Sequence, residues 1–417
     1  MSRSDGRTAL LNLFGAKCMA DPFPTYAWYR EHAPVRRLTQ PDGLQLWLVT
    51  GYHDSRAALA DPRLAHHLRH ARPAMARAGI ELTDERIRFG AAHLLHSEPS
   101  DHARLRRLVA RAFSPARVQR LRPRVREIAG ELLTAIDPSA EVDLVRALNN
   151  PLPVMVICEL LGIPAEDRTL FRQWTEAAVT PEYQADPPMS RDEGKAHLRS
   201  YLADLVSSRR AERLRYLEAE QQPDLLRALI VACDDESRLT ETEVVAMSFI
   251  MLIAGHESTS NFLGNAFLTM LRAPALQHAL EHSSGTTLAH AVDELLRFDG
   301  PVQRGTLRTA VEDVEISGVT VPAGEIVSVC VAAANRDPRR FPDADDVRLD
   351  RNDNPHLAFG HGPHFCVGAS LARMEAEVAI GAVLHRFDEI TLAVQPSELR
   401  WRPAFQRGLV GLPVRVR

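Results

Sequence analysis

Residues 359–368 read Phe-Gly-His-Gly-Pro-His-Phe-Cys-Val-Gly, a lone cysteine among glycines and aromatic rings. That composition suits a thiolate that holds a metal. Such a thiolate needs shelter from water, hydrogen bonds that moderate its charge, and backbone room for a flat ligand to approach. Phe359 can shield the sulfur of Cys366. Gly360, Gly362 and Gly368 let the chain turn tightly where a side chain would collide with the ligand. The following run, ASLARMEAEVAI, predicts a helix starting just after Cys366, whose N-terminal dipole and free amides would favour the thiolate. Cys18, Cys158, Cys233 and Cys330 are scattered with no CxxC pair and read as buried thiols in a reducing cytoplasm.

A second group, Ala254 to Thr259, reads Ala-Gly-His-Glu-Ser-Thr at the end of the apolar run from Val244 to Gly255. Ala254 and Gly255 are small enough for a flat ring or a dioxygen molecule to reach the backbone. Glu257 and Ser258 set an acid beside an alcohol, and cleaving an O–O bond needs protons that a carboxylate-to-hydroxyl relay can supply. Thr259 lies 100° further round the helix and does not replace Ser258, and His256 reads as a local structural residue.

On a helical wheel the segment DHARLRRLVARAF puts His102 and Arg106 beside an apolar arc of Leu105, Leu108, Val109, Ala112 and Phe113. Arg104, Arg107 and Arg111 fall on the opposite face and are predicted to point at solvent. Glu294 and Arg297 share a helix face at i,i+3. Glu85 with Arg88 and Glu212 with Arg215 repeat that spacing, so the pattern carries weight only through its place between the apolar helix and the cysteine loop.

Helices must position these groups. The periodicity predicts helices over Asp101 to Ala135, 141–162, 190–216, 240–272 and 286–298, with a strand at Gln45 to Thr50, a small antiparallel sheet over Val311 to Val329, and more strand after Glu389. The fold class expected is mainly α with a smaller antiparallel β region. No linker, repeat or low-complexity block interrupts the 417 residues, which predicts a single domain, 1–417. Hydrophobic residues at 45% can fill a large core, and a net charge of −4 offers no global field for nucleic acid or an anionic membrane. Arg3 and Arg7 before Leu10 to Ala16 only faintly imitate an export signal, and the longest apolar run falls short of the ~20 residues that cross a bilayer.

Taken together, Phe359, Gly362, His364, Cys366 and Gly368 resemble the cytochrome P450 signature Phe-x-x-Gly-x-His-x-Cys-x-Gly at every position. The resemblance covers nearly the whole chain, through the HxxxR helix, AGHEST, ExxR, the NRDP segment at Asn335 to Pro338 and the cysteine loop. It implies the cytochrome P450 fold and a haem b, iron protoporphyrin IX, with Cys366 as its metal ligand. His102, Arg106, Arg308 and His364 would hold the propionates, and Arg351 would join Glu294 and Arg297 in a structural ion network. It also implies O2, a small-molecule substrate, and electrons from NAD(P)H through a ferredoxin reductase and ferredoxin to a cytoplasmic monomer. The reaction expected is hydroxylation or epoxidation in bacterial secondary metabolism. The family most often has Thr at the position of Ser258, and the lost methyl frees the hydroxyl's rotamer, which predicts looser coupling.

Two other readings stand beside it: a peroxide-using haem oxygenase, and a non-catalytic haem-binding sensor. An intact Glu257 and Ser258 pair argues for dioxygen and catalysis. Substrate choice is expected in loops at 64–97 and 165–200. The first of these carries His66, His67, Arg69, His70, Arg72 and Arg77, read as a solvated charged loop.

Overall fold

The computed structural model describes residues 13–179, 189–212, 221–234, 239–283, 285–402 and 406–417. Six helices carry the argument: α1 (Pro99–Ala112), α2 (Pro115–Thr134), α3 (Pro151–Leu161), α4 (Glu241–Leu271), α5 (Thr286–Asp299) and α6 (Ala369–Arg386). The strands are β1 (Val35–Thr39), β2 (Gln45–Val49), β3 (Leu64–Ala65), β4 (Val142–Asp143), β5 (Arg308–Ala310), β6 (Val314–Ile316), β7 (Val319–Val321), β8 (Ile326–Val329), β9 (Ile390–Leu392) and β10 (Pro413–Val416). The chain separates into two compact units.

The first unit comprises residues 1–91, 265–366 and 395–410. Its five-stranded sheet runs in the order β1, β2, β8, β5, β3. Only β6 and β7 form the separate antiparallel hairpin. The antiparallel sheet expected over Val311 to Val329 is thus divided, because β8 pairs in parallel with β2 on one side and antiparallel with β5 on the other. Pairing on both sides explains why all four residues of β8 are buried and the strand lacks an alternating pattern. The sheet packs Leu46, Leu48 and Ile326 on one core cluster and Val49, Val327 and Val329 on another. Residues 68–77 and 84–91 are helices, where loop was expected. His67 accepts from the Arg69 backbone N–H to cap the first of them.

The second unit comprises 92–264, 367–394 and 411–417. The helix expected from Asp101 to Ala135 is interrupted. Phe113 leaves helical geometry, Ser114 caps α2 by accepting from the Arg117 N–H at 3.3 Å, and Pro115 takes the first helical position, where its missing N–H costs nothing. The helix expected over 141–162 resolves into β4, a π-helical turn at Val145–Asn149, and α3, which ends at Gly162 with φ 66°. Within 165–200 the chain forms the helix Arg168–Val179, where loop was expected, and the start of Arg191–Ala211, which lies inside the helix expected over 190–216. Helix α6 packs against α2, and β4, β10 and β9 make a three-stranded antiparallel sheet. Helix α4 spans the expected 240–272 almost residue for residue. Among the described residues no helix is long and apolar enough to cross a membrane.

Candidate functional site

In the first unit the cysteine loop leaves buried Leu357 and ends on exposed Cys366. Gly360 and Gly362 take φ of 76° and 75°, which side-chain-bearing residues adopt at a cost. A Cβ on Gly362 would lie 3.0 Å from Ala60 Cα, so this glycine also permits close packing on the helix at Tyr52–Ala60. The Cys366 backbone N–H donates to the Phe359 carbonyl at 2.9 Å and closes the loop. Gly368 lies at φ −85° and precedes α6 as its N-cap.

Arg308, on β5, is 3% exposed, and its guanidinium donates to the Thr306 carbonyl at 3.1 Å. Burial alone pulls its pKa down to about 10. Among the described residues it makes no ion pair. His364 stacks on His66 at 3.8 Å between ring centroids, and His66 Nδ1 lies 3.4 Å from the Thr306 hydroxyl. His66 and His67 are buried, against the reading of a solvated loop, while Arg72 pairs with Asp84 and Arg77 with Glu325. No local pattern signals the tilted ring contact of His66 with His364, because the two rings are 298 positions apart.

Glu294, Arg297 and Arg351 are brought together. Arg297 donates to both Glu294 oxygens at 2.8 Å, and Arg351 Nε lies 3.2 Å from each. Arg297 also donates to the carbonyls of Asn335, Ala344 and Asp346, and Glu294 accepts from the Arg348 backbone N–H. This buried pair therefore staples α5 to the 335–351 segment, a strong arrangement because every lone pair and proton is used.

In the second unit His102 is buried and Arg106 half-buried on α1. Burial, then the neighbouring Arg106 charge, lower the His102 pKa, so a neutral imidazole is favoured there. Leu105, Leu108, Val109 and Phe113 are buried as the wheel requires. Arg104 corrects it: this side chain is only about a third exposed and bridges Glu243, with Asp101 3.5 Å away, because α4 brings an acid to that face. Arg107 is exposed, and the Arg111 side chain lies outside the described residues. On α4, Ala254 and Gly255 are exposed, and a Cβ on Gly255 would meet nothing within 4 Å. Ser258 Oγ donates to the Ala254 carbonyl at 2.8 Å, and Thr259 Oγ1 to the Gly255 carbonyl at 3.0 Å. Glu257 is half-buried beside Ser258, and His256 is buried.

The family profile for cytochrome P450 matches residues 43–405. The chain belongs to the cytochrome P450 family. Among its relatives, the cytochrome P450 monooxygenase PikC of Streptomyces venezuelae is 42% identical over 98% of this chain and 94% of its own length. The mycinamicin IV hydroxylase/epoxidase of Micromonospora griseorubida is 39% identical over 93% of this chain and 94% of its own. The ligand-free structure of the P450 monooxygenase TamI superposes with a TM-score of 0.85 at 40% identity, over 96% of this chain and 93% of that one. This P450 is accordingly a monooxygenase with a haem iron, and it works with O2, an electron donor and a small-molecule substrate.

The residues present fit a haem. A buried guanidinium without a carboxylate costs several kcal/mol unless an anion completes it. Arg308 has that need in this P450, and a propionate supplies the missing charge with forked hydrogen-bond geometry.

Proposed function

We propose that this P450 hydroxylates or epoxidises a secondary metabolite, in keeping with its likeness to the mycinamicin IV hydroxylase/epoxidase, using haem b bound through Cys366. The observation that carries the cofactor reading is the uncompensated Arg308 beside the His364 and Thr306 cluster. In this reading Arg308, His364, His102 and Arg106 hold the propionates. Phe359, Gly360 and Gly368 shelter the thiolate, and Ala254 and Gly255 give the ring and O2 access to the helix backbone. When bound, the haem supplies iron that activates O2 for transfer of one oxygen atom to a C–H or C=C bond.

The protein's own part is proton delivery and exclusion of water. Glu257 takes protons from solvent and passes them to Ser258, whose Oγ leaves its bond to the Ala254 carbonyl to donate toward dioxygen. Without the methyl of a Thr, that hydroxyl is less firmly aimed. Electrons come from NAD(P)H through a ferredoxin reductase and ferredoxin. The 417 residues act as one monomeric haem-thiolate domain in the cytoplasm, a setting that matches buried Cys18, Cys158 and Cys330 standing outside any disulfide.

The test is the carbon monoxide difference spectrum of the dithionite-reduced protein, with Cys366→Ala and Arg308→Leu alongside. A strongly red-shifted Soret band in the parent, absent in Cys366→Ala, is expected. Arg308→Leu should keep the band position but release haem to apomyoglobin about tenfold faster or more, as loss of a charge-assisted contact implies. A histidine-like band in the parent would overturn thiolate ligation.

A further inference from the structure

In the first unit the helix Pro274–Glu281 and its C-cap carry His278, Glu281 and His282, none of them among the haem-side residues above. Spacings of three and four residues set the three side chains on one face of the last turn. One ligand atom from each lies within 4.8 Å of those of the other two. The His278 side chain is 76% exposed, Glu281 is half-buried and His282 is exposed, so an ion can reach them directly from solvent.

Hydrogen bonds already hold two of the three. His282 Nδ1 lies 2.9 Å from the His278 carbonyl oxygen. A carbonyl can only accept, so Nδ1 carries the proton, and the neutral ring keeps its lone pair on Nε2. Gln277 Nε2 donates to one Glu281 oxygen at 3.1 Å, and the other oxygen lies 3.6 Å from His278 Nδ1. A carbonyl behind an imidazole and an amide behind a carboxylate are the outer partners that orient metal ligands. The two imidazole rings are close, with centroids 4.6 Å apart. The position in the helix adds to this, because its last carbonyls carry partial negative charge that favours a cation at this end.

We propose that His278, Glu281 and His282 form a surface binding site for Zn²⁺, two imidazoles and one carboxylate, with water completing the coordination. Imidazole donors select a transition metal over Mg²⁺, which takes oxygen ligands. Zn–N distances of about 2.0–2.1 Å in a tetrahedron set neighbouring ligand atoms about 3.3 Å apart. That is closer than the observed spacing by about 1.5 Å at most, a gap that rotation of exposed side chains closes without moving the helix. The site shares no residue with the haem centre and is independent of the oxygenase reading.

His32 supplies an internal control. Its Nδ1 lies 3.0 Å from the Trp28 carbonyl and 3.9 Å from Glu31, but the ring stacked on it is that of Trp28, not a second imidazole. The test is carbethoxylation of the full-length, haem-loaded, tag-free protein by diethyl pyrocarbonate, read residue by residue by mass spectrometry, with Zn²⁺ or Mg²⁺ titrated in. Zn²⁺ should slow modification of both His278 and His282 about tenfold or more and leave His32 unchanged. In Glu281→Gln the Zn²⁺ concentration giving half-protection should rise about tenfold, and in His282→Ala protection of His278 should be lost. Each variant is first matched to the parent in melting temperature and carbon monoxide spectrum, which separates loss of this site from loss of the fold or the haem centre. No protection at about 1 mM Zn²⁺, equal slowing of His32, equal protection by Mg²⁺, or unchanged protection of His278 in His282→Ala would each overturn the proposal.

Discussion

Two buried ionisable side chains in the second unit should govern opposite ends of the stability profile. Glu375 on α6 is 3% exposed, and one carboxylate oxygen has no hydrogen-bond partner. Burial holds its pKa well above the ordinary carboxyl value, so the folded protein keeps it protonated. An acid whose folded pKa is raised stabilises the fold below the unfolded value of about 4.5, and that contribution is lost as pH rises toward the folded pKa. The loss is at most about 1.4 kcal/mol per pH unit. Glu375→Gln should therefore shrink the fall in melting temperature between pH 5 and pH 8, measured by differential scanning fluorimetry; an unchanged fall would mean that Glu375 is ionised in the fold. His93 runs the other way. Burial, then the charge of His96, pull its pKa to about 3, so its contribution is full above about 6.5 and fades as pH drops toward 3. His93→Gln should flatten the acid limb of a urea-unfolding series at pH 6.5 to 4, and a parallel shift of the whole limb would exclude His93 as its origin. Neither residue stood out in the sequence, since an isolated Glu or His becomes unusual only once its neighbours are known.

At the scale of the element, the helix ends decide more than the helix interiors. Periodicity located α4 and α5 to within a residue or so, and it placed His102 and Arg106 beside the buried face of α1 correctly. It ran α1 and α2 together because the apolar pattern continues through Phe113, while Ser114 and Pro115 carry the stop and start signal that a wheel ignores. It also left 68–77 as loop. That helix contains Pro73, and its lining residues Ala71 and Ala74 are too small to stand out as an apolar stripe. Gly162 offers a direct check on an end. It stops α3 at φ 66°, and a Cβ there would lie 2.5 Å from an Asp224 oxygen. Gly162→Ala should cost about 2 kcal/mol or more by denaturant titration, more than the left-handed conformation alone would cost. A cost below about 1 kcal/mol would mean that Asp224 moves aside freely.

For the molecule as a whole, the haem is expected to be part of the stability as well as the chemistry. A ligand that binds only the native state at a thousand times its Kd adds about 4 kcal/mol. Unfolding entropy of about 2.1 cal/mol/K per residue over 417 residues makes that a drop of about 5 °C when haem is removed. Scanning calorimetry of haem-loaded and haem-depleted protein would measure it. An identical melting temperature would contradict a cofactor that neutralises Arg308. Restoring haem should recover the parent value in the same experiment.

The sequence by itself determined the family, the helices α4 and α5 and the pairing of Glu294 with Arg297, and it singled out Cys366 as the proposed thiolate ligand. Each of these rests on residues near one another in the chain, where the period of a helix or the spacing of a loop fixes which side chains can meet. Only the tertiary structure decided that Arg308 is buried with no ion pair among the described residues, that the His66 and His364 rings meet, and that Glu243 captures Arg104 from the face assigned to solvent. These groups come from segments tens to hundreds of residues apart, so their charge balance depends on which surfaces fold together, a property that no local pattern encodes.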